Sequence, residues 1–228
     1  MTDVLLLHGA RHSAWCWWRT TLELERRGHR VVAVDLPVED PEAGAVRYAA
    51  VAAEAGADLS DPVVVGHSLA GLVIGLLPGL LPVSELVFLC APLPVPGRSL
   101  REQQELEPDI FVRENLQPDS MREGKTVERS AESAVAAFYH DCSAEDVELA
   151  LGELRPQATR PMTEPSPVSQ WPPAVPCRYI LCRDDRILNA AWCRRAVPER
   201  LGVVPIELDG SHSPFLSRPV ELVDVLIG

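Results

Sequence analysis

The strongest constraint on the fold is a regular alternation of short apolar runs with longer segments of helical spacing. Runs of four to seven apolar residues bounded by turn residues are typical of strands buried on both faces, and strands that alternate with helices favour a parallel sheet. The predicted strands cover residues 4–7, 30–36, 62–65, 85–90, 177–182 and 203–208. The predicted helices cover residues 15–27, 42–57, 69–80, 190–196 and 219–227. The fold class predicted is therefore α/β, with a mostly parallel sheet and helices on both faces.

The alternation stops after the fourth strand. Residues 95–170 contain no clear buried strand, and 127–154 has helical spacing, followed by a proline-rich stretch. Between Arg101 and Leu154 there are 14 acidic and 5 basic residues, an excess typical of a solvated face. We expect residues 1–95 and 171–228 to form the core. Residues 96–170 are expected to form an inserted helical cap with a proline-rich return.

Net charge and lysine content exclude several functions. The chain of 228 residues carries a formal net charge of −12, which disfavours a nucleic-acid partner or an anionic membrane surface. The acidity of the predicted cap suggests that its field disfavours anionic substrates too. Lys125 is the only lysine and lies outside any P-loop, so neither that motif nor a Schiff-base lysine is indicated. We expect a small-molecule substrate and no cofactor.

Cysteine usage indicates a reducing compartment. The six cysteines form no CxxC pair and lack the spacing of a zinc site, and the N-terminus lacks the pattern of a signal peptide. These features favour a cytoplasmic protein with free thiols and no metal. A homodimer is compatible with the sequence.

Residues 62–74 carry the motif with the clearest chemistry. They predict a buried strand, a tight turn with Ser68 at its apex, and a helix, which is the context of a nucleophile elbow. Gly66, two residues before the serine, allows close approach of the chain. The position two residues after Ser68 is Ala70 and not glycine, so GxSxG becomes GxSxA. Alanine is small enough for the elbow to form, and Ser68 is the predicted nucleophile.

A serine nucleophile needs a base and an orienting acid. His212 lies in the loop after the last predicted strand, and the chain order Ser, Asp, His is that of an α/β hydrolase. Asp184 and Asp185 both follow the strand 177–182, and spacing alone leaves either as the acid.

Two backbone N–H groups are expected to bind the oxyanion, that of Leu69 and that of Ala10 in the loop after the first strand. His8 and His12 are four residues apart, but Gly9 interrupts any helix and no HExxH pattern is present, so a metal pair is not predicted. They are expected to brace the oxyanion loop by hydrogen bonds. His67 is expected to pack beside the nucleophile.

These motifs resemble one branch of a known superfamily. Segments 4–17, 28–36, 66–71, 179–187 and 210–215 are similar to the hydroxynitrile lyase and plant methyl-ester esterase branch of the α/β hydrolases, and to its bacterial relatives. In the matching acid loop the carboxylate precedes an arginine. The resemblance therefore implies Asp185, which precedes Arg186, as the acid.

Departures from the branch separate two activities. The lyases carry a threonine after the first-strand histidine and a lysine after the catalytic histidine, where this chain has Gly9 and Ser213. The resemblance therefore implies an esterase.

The predicted function is a serine hydrolase that cleaves small, largely apolar esters through an acyl-enzyme formed by Ser68, His212 and Asp185. A lyase or other proton-transfer reaction on the same triad, and a non-catalytic binding protein, are the alternatives. The residues expected to contact substrate are His12, Phe111, Phe138, Tyr139 and Trp171.

Overall fold

The computed structural model describes residues 1–228, with the exception of the side chain of Pro118. Its eight strands are β1 (Asp3–Leu7), β2 (Arg30–Val34), β3 (Val63–His67), β4 (Glu85–Leu89), β5 (Thr126–Val127), β6 (Gln157–Ala158), β7 (Cys177–Cys182) and β8 (Ile206–Leu208). Six of them form one sheet in the order β2-β1-β3-β4-β7-β8, and every neighbouring pair in it is parallel. The predicted parallel α/β architecture is confirmed.

The strand order places the reversal of the sheet between β1 and β3. From β1 the chain moves outward to β2, then returns to the other side of β1 and continues through β3 and β4. Ligands of open parallel sheets bind beyond the carboxyl ends of the strands at such a reversal. The loops after β1 and β3 therefore meet at the position where a site is expected.

Two predicted strands are shorter than expected by two residues or more. β8 begins after Pro205, which has no N–H to donate to a neighbouring strand. β2 ends at Val34, and the N–H of Leu36 instead donates to Nε2 of His8 at 3.0 Å. In both cases a backbone N–H that could extend the strand is either missing, at Pro205, or bonded to a side chain, at Leu36.

The described α-helices are α1 (Trp18–Arg26), α2 (Ala45–Ala55), α3 (Leu100–Leu106), α4 (Ala131–Phe138), α5 (Ala144–Gly152), α6 (Arg160–Thr163), α7 (Ala190–Leu201), α8 (Pro214–Ser217) and α9 (Pro219–Ile227). Alternate residues of β1 enter two different cores, with Leu5 and Leu7 on one face of the sheet and Val4 and Leu6 on the other. Helices α2 and α7 cover the first face, whereas α1, α8 and α9 cover the second. Burial on both faces explains why the strands are largely apolar.

The segment after β3 differs from the single helix predicted for residues 69–80. It forms two 3₁₀ segments, Ser68–Leu72 and Ile74–Gly79. This stretch contains Gly71, Gly75, Gly79 and Pro78, residue types that disfavour an α-helix. The tighter turn at its start still follows directly from β3.

Residues between β4 and β7 contain helices α3 to α6, short 3₁₀ turns and a separate antiparallel pair of β5 with β6. The helical spacing of 127–154 is realised as two helices, α4 and α5, and β5 and β6 were not predicted. Phe138 and Tyr139 join the core on one face of the sheet, and Phe111 and Met162 join the core on the other. This region therefore packs directly on the carboxyl ends of the strands.

Within the described residues, no helix combines the length and the apolarity that crossing a membrane requires.

Candidate active site

Ser68 occupies a strained turn immediately after β3. Its φ is +50°, in the left-handed region that non-glycine residues rarely adopt, and it begins the 3₁₀ segment Ser68–Leu72. Gly66 makes the turn sterically feasible, because a Cβ there would lie 2.6 Å from Cγ2 of Ile74. Backbone strain of this kind is found where surrounding structure fixes a functional side chain.

The glycine needed after Ser68 is one position later than the usual motif indicates. Ala70 is fully buried and its methyl group is accommodated. A Cβ on Gly71, in contrast, would lie 2.5 Å from the carbonyl oxygen of Pro92. The close approach of the turn to the segment after β4 therefore depends on Gly71, and Ala70 is compatible with the elbow.

His212 links Ser68 to a carboxylate. The hydroxyl of Ser68 donates to Nε2 of His212, with Oγ and Nε2 3.0 Å apart. Nδ1–H of His212 donates to Oδ2 of Asp185 at 2.8 Å. His212 is 2% exposed and Asp185 9% exposed, so the hydrogen bond between them is shielded from water, whereas Ser68 is half-buried and faces the cavity. This is the arrangement in which an imidazole can take a proton from serine.

Asp185 is the acid that the fold brings to His212. Its second oxygen, Oδ1, accepts from the N–H groups of Ile187 (2.7 Å) and Leu188 (3.0 Å), which hold the carboxylate in place. Asp184 is exposed, and its carbonyl oxygen accepts from Nε2 of His140. The structure thus separates two neighbours that spacing alone left equivalent.

His12 is a buried, neutral support for the loop after β1. Its Nδ1–H donates to the carbonyl of Ala10 at 2.8 Å, and its Nε2 accepts from the hydroxyl of Tyr139 at 2.8 Å. Burial lowers the pKa of His12 to about 3, so the ring is uncharged at neutral pH. His12 therefore acts as a hydrogen-bonding bridge between the loop and the residue after α4.

His8 and His67 are held neutral in the same way. Burial lowers the pKa of His8 to about 4, and burial followed by the charge of His212 holds the pKa of His67 well below its usual range. Nδ1–H of His8 donates to the carbonyl of Gly9 at 2.8 Å. Nε2–H of His67 donates to the carbonyl of His212 at 2.8 Å, so His67 does more than pack. Its role was not apparent from the sequence.

Ala10 and Leu69 both border the cavity in front of Ser68. Leu69 is at the start of a 3₁₀ segment, where N–H groups have no partner within the helix. The loop after β1 runs against the nucleophile, since a Cβ on Gly9 would lie 2.8 Å from Cβ of Ser68. Both predicted oxyanion donors therefore lie beside the reacting serine.

Ser68 and His212 open into a cavity with a largely apolar lining, as is typical of small-molecule sites. Its apolar wall combines the first residue of α3 with the turns that follow that helix and with α4. The apolar lining residues are Ala10, Leu69, Pro92, Leu100, Phe111, Leu116, Met121, Phe138, Met162 and Ile187.

Three of the five predicted contact residues reach this cavity. His12, Phe111 and Phe138 line it. Among the described lining residues Tyr139 and Trp171 do not occur, so for these two the prediction is wrong. Tyr139 is 1% exposed and lies behind His12, to which it donates its hydroxyl. Trp171 packs edge-on against Phe88 of β4, at 5.7 Å between ring centroids, and covers the sheet.

Comparison with known proteins supports the same fold. The profile of the family described as "Alpha/beta hydrolase family" matches residues 4–225. The chain belongs to this family.

The relatives of this α/β hydrolase include proteins of different printed activities. It is 29% identical over 249 residues to "Probable esterase PIR7A" of Oryza sativa subsp. indica, with 98% of this chain and 94% of that protein covered. It is 28% identical over 250 residues to "Norfluorocurarine synthase 2" of Strychnos sp, with coverage of 98% and 93%. A pyrethroid hydrolase from Sphingobium faniae JZ-2 has a similar structure, with a TM-score of 0.79, 27% identity and coverage of 99% and 95%. Together with the triad geometry, the esterase relatives support a serine esterase.

Two charged residues of the α/β hydrolase site were missed by sequence reasoning. Arg11 and Arg129 both line the cavity, and no aspartate or glutamate occurs among its described lining residues. Arg11 directly follows the oxyanion loop, which is a signal that could have identified it. Nothing in the local sequence marks Arg129, because α4 and the turn before it reach the site only through tertiary packing.

Lys125 lies apart from this site. It borders an outer cavity together with Glu123, Thr159 and Arg160. The residue directly after His212 is Ser213, which is buried. The structure therefore does not bring a lysine to the position from which the lyases of this family would act on a leaving group.

Proposed function

We propose that this protein is a serine carboxylesterase in which Ser68 is the nucleophile, His212 the general base and acid, and Asp185 the orienting carboxylate. The observation that carries this proposal is the continuous hydrogen-bonded chain from Ser68 Oγ through His212 to Asp185, at 3.0 and 2.8 Å. A serine hydroxyl becomes an effective nucleophile only when such a base removes its proton.

The reaction follows from this geometry in two halves. Oγ of Ser68 attacks the ester carbonyl while its proton passes to Nε2 of His212. The imidazolium then gives that proton to the departing alcohol, which leaves the acyl group on Ser68. Water, deprotonated by the same nitrogen, releases the acid and restores Ser68. Asp185 stabilises the imidazolium throughout by accepting from Nδ1–H.

The N–H groups of Ala10 and Leu69 would stabilise the negative oxygen of each tetrahedral intermediate. Such preorganised donors typically contribute about 3 kcal/mol each to transition-state stability. His12 supports this arrangement by holding the carbonyl of Ala10.

The composition of the cavity supports small, largely apolar esters as substrates. Leucine, methionine and aromatic side chains form most of its wall. We also propose that residues 96–170 act as a cap, since Phe111, Leu116 and Phe138 from this region cover the reacting groups. Relatives named as an esterase and as a pyrethroid hydrolase are consistent with ester substrates.

The experiment that tests this function is labelling with a serine-reactive fluorophosphonate, read by intact mass, together with turnover of a short-chain chromogenic ester. We expect one adduct on the wild-type protein and none on Ser68→Ala, whose turnover should fall by about 10⁴-fold or more. Ser120→Ala is the matched control, because Ser120 also borders the cavity. This variant should still take one adduct, on Ser68. A folded wild type that takes no adduct would favour the non-catalytic binding protein. Cleavage of a cyanohydrin without ester turnover would favour the lyase.

We propose a cytoplasmic location for the protein, and a homodimer stays a prediction. All six cysteines are free thiols, as expected in a reducing compartment. Cell fractionation tests the location, and light scattering after size-exclusion chromatography tests the assembly.

A further inference from the structure

The candidate active site holds two guanidinium groups without an acidic partner. Arg11 and Arg129 both line the cavity in front of Ser68. Among the described residues, neither has a carboxylate oxygen within the 4.0 Å that defines an ion pair. The region that surrounds them is rich in acidic residues, yet none of these borders the described cavity.

Arg11 is nearly enclosed. It is 6% exposed, and its backbone has a φ of +65°, in the left-handed region. Its Nη2 donates to the side-chain oxygen of Gln117 at 2.7 Å, whereas its Nε is buried without a partner. Burial, and then the charge of Arg129, lower the pKa of Arg11 to about 10, which still leaves the group protonated at neutral pH.

Arg129 extends the positive charge toward the catalytic histidine. Its Nη atoms donate to the carbonyls of Asn115 and Ser133, and its Nε is buried without a partner. Its guanidinium carbon lies 4.8 Å from the centre of the Phe138 ring, and that ring is stacked on His212. One aromatic ring thus separates Arg129 from the imidazole.

The positive charges of Arg11 and Arg129 repel each other in this largely apolar cavity. An anion bound between them would offset that repulsion by attracting both. A buried cation is costly when it is not paired, and a guanidinium is suited to a carboxylate because its planar N–H groups match the two oxygens. Their other donors bind neutral amide and carbonyl oxygens, which position the guanidinium groups without neutralising them. The two guanidinium groups can therefore bind one anionic group next to the ester that Ser68 attacks.

We infer that the substrate of this enzyme is an ester that also carries a carboxylate, which Arg11 and Arg129 bind while Ser68 attacks the ester carbonyl. This inference rests on the proposed esterase function and narrows its substrate class. The body of the substrate remains apolar and small, and a half-ester of a dicarboxylic acid is the simplest compound that fits. The acidic sequence of the cap suggested the opposite preference, but its carboxylates lie outside the described lining.

The test compares pairs of esters that differ only in charge. On the acyl side, 4-nitrophenyl hemiglutarate is compared with the corresponding glutaramate, in which an amide replaces the carboxylate. On the alcohol side, a butyrate ester of glycolate is compared with that of glycolamide. We expect the wild type to prefer the anionic member of at least one pair by about tenfold or more in kcat/KM.

Two variants and one control assign the preference to these residues. Arg11→Gln and Arg129→Gln should each lower the ratio of kcat/KM for the preferred anion to kcat/KM for its neutral partner by about tenfold, mainly through a higher KM for the anion. Arg155→Gln is the matched control. Arg155 does not line the cavity of Ser68. It borders a different cavity, which Arg11 and Arg129 also line, and it pairs with Glu39, so its loss should leave the preference unchanged.

The outcomes separate this inference from the function on which it rests. Turnover of the neutral esters that depends on Ser68, with no preference for either anion, would overturn the inference and leave the esterase intact. No turnover of any ester would overturn the esterase itself. If an arginine variant fails to fold, calorimetry on Ser68→Ala decides, because it should bind the preferred anionic ester at least about tenfold more tightly than its neutral partner. Equal binding there contradicts the inference.

Discussion

Nε2–H of His67 donates a hydrogen bond to the backbone carbonyl of His212, with nitrogen and oxygen 2.8 Å apart. The two rings lie 4.7 Å apart between centroids, and both residues are buried. His67 directly precedes the nucleophile, so one residue of the elbow fixes the loop that carries the base. The serine and the histidine are thereby held as a single unit.

Removing this donor should impair catalysis more than binding. In His67→Leu the carbonyl of His212 stays buried without its partner, which typically costs about 1–3 kcal/mol. We expect kcat to fall about tenfold with little change in KM. His67→Gln should recover most of the loss, because its amide N–H can replace Nε2–H. Equal kcat values for the Leu and Gln variants would contradict a positioning role.

The buried histidines should make the free energy of unfolding depend on pH near neutrality, at pH values where most carboxyl groups no longer titrate. His8, His12 and His67 have lowered pKa values in the folded state, about 4 and about 3 for the first two, whereas an unfolded histidine titrates near pH 6.5. The unfolded chain therefore binds more protons as pH falls below about 6.5, and the free energy of unfolding decreases. Each such histidine contributes up to about 1.4 kcal/mol per pH unit. Urea denaturation between about pH 5 and 7 measures how steeply the free energy of unfolding changes with pH. In His67→Gln this slope should correspond to up to one fewer proton taken up on unfolding.

The two adjacent aspartates should differ sharply in their contribution to turnover. Asp185→Asn keeps an oxygen for the N–H groups of Ile187 and Leu188 but no longer stabilises the imidazolium, so kcat should fall by about 10³–10⁴. Asp184→Asn is the control at an exposed site and should change kcat by less than about threefold. Steady-state kinetics on both variants decides, and a larger loss in Asp184→Asn would reverse the assignment of the acid.

A carboxylate at position 90, directly after β4, should substitute in part for Asp185 in the loop after the neighbouring strand β7. Sγ of Cys90, a carboxylate oxygen of Asp185 and an imidazole nitrogen of His212 all lie within 4.8 Å of one another. In the Asp185→Asn background, Cys90→Asp should therefore raise kcat by about tenfold or more, since His212 regains an anionic partner. Cys90→Asn in the same background is the neutral control. Equal kcat values for the Asp and Asn double variants would show that a carboxylate at position 90 cannot take over the role of Asp185.

The elbow should tolerate a change at Ala70 but not at Gly71. Ala70→Gly restores the usual glycine and should lower the free energy of unfolding by about 1 kcal/mol or less, with activity retained. Gly71→Ala would place a methyl group 2.5 Å from the carbonyl oxygen of Pro92, and we expect a loss of about 2 kcal/mol or more and of most turnover. Urea denaturation and ester kinetics on the two variants test this contrast. Wild-type stability of Gly71→Ala would show that the segment after β4 can move away.

Local sequence predicted the parts of the molecule that depend on neighbours along the chain. The apolar runs identified the six strands of the main sheet because burial on both faces requires them to be apolar. Misplaced ends, as at Pro205 and Leu36, arose where one residue lacked an N–H or donated it to a distant histidine. The strand–turn–helix pattern around Ser68 and the chain order Ser, Asp, His were sufficient to name Ser68 and His212. They left Asp184 and Asp185 equivalent, and only the resemblance implied Asp185.

The sequence by itself determined the strands of the sheet, the elbow with Ser68 and the loops that carry the base and the acid, because short spacings along the chain specify strands, turns and the loops that follow them. Only the tertiary structure decided that Asp185, and not Asp184, is the partner of His212. Only the tertiary structure decided which of the aromatic residues reach the cavity, with Phe111 and Phe138 inside it and Tyr139 and Trp171 packed elsewhere. Only the tertiary structure brought Arg11 and Arg129 to the same cavity. These residues come from distant segments of the chain. Their side chains meet because the region after β4 packs on the carboxyl ends of the strands, and no local spacing encodes that packing.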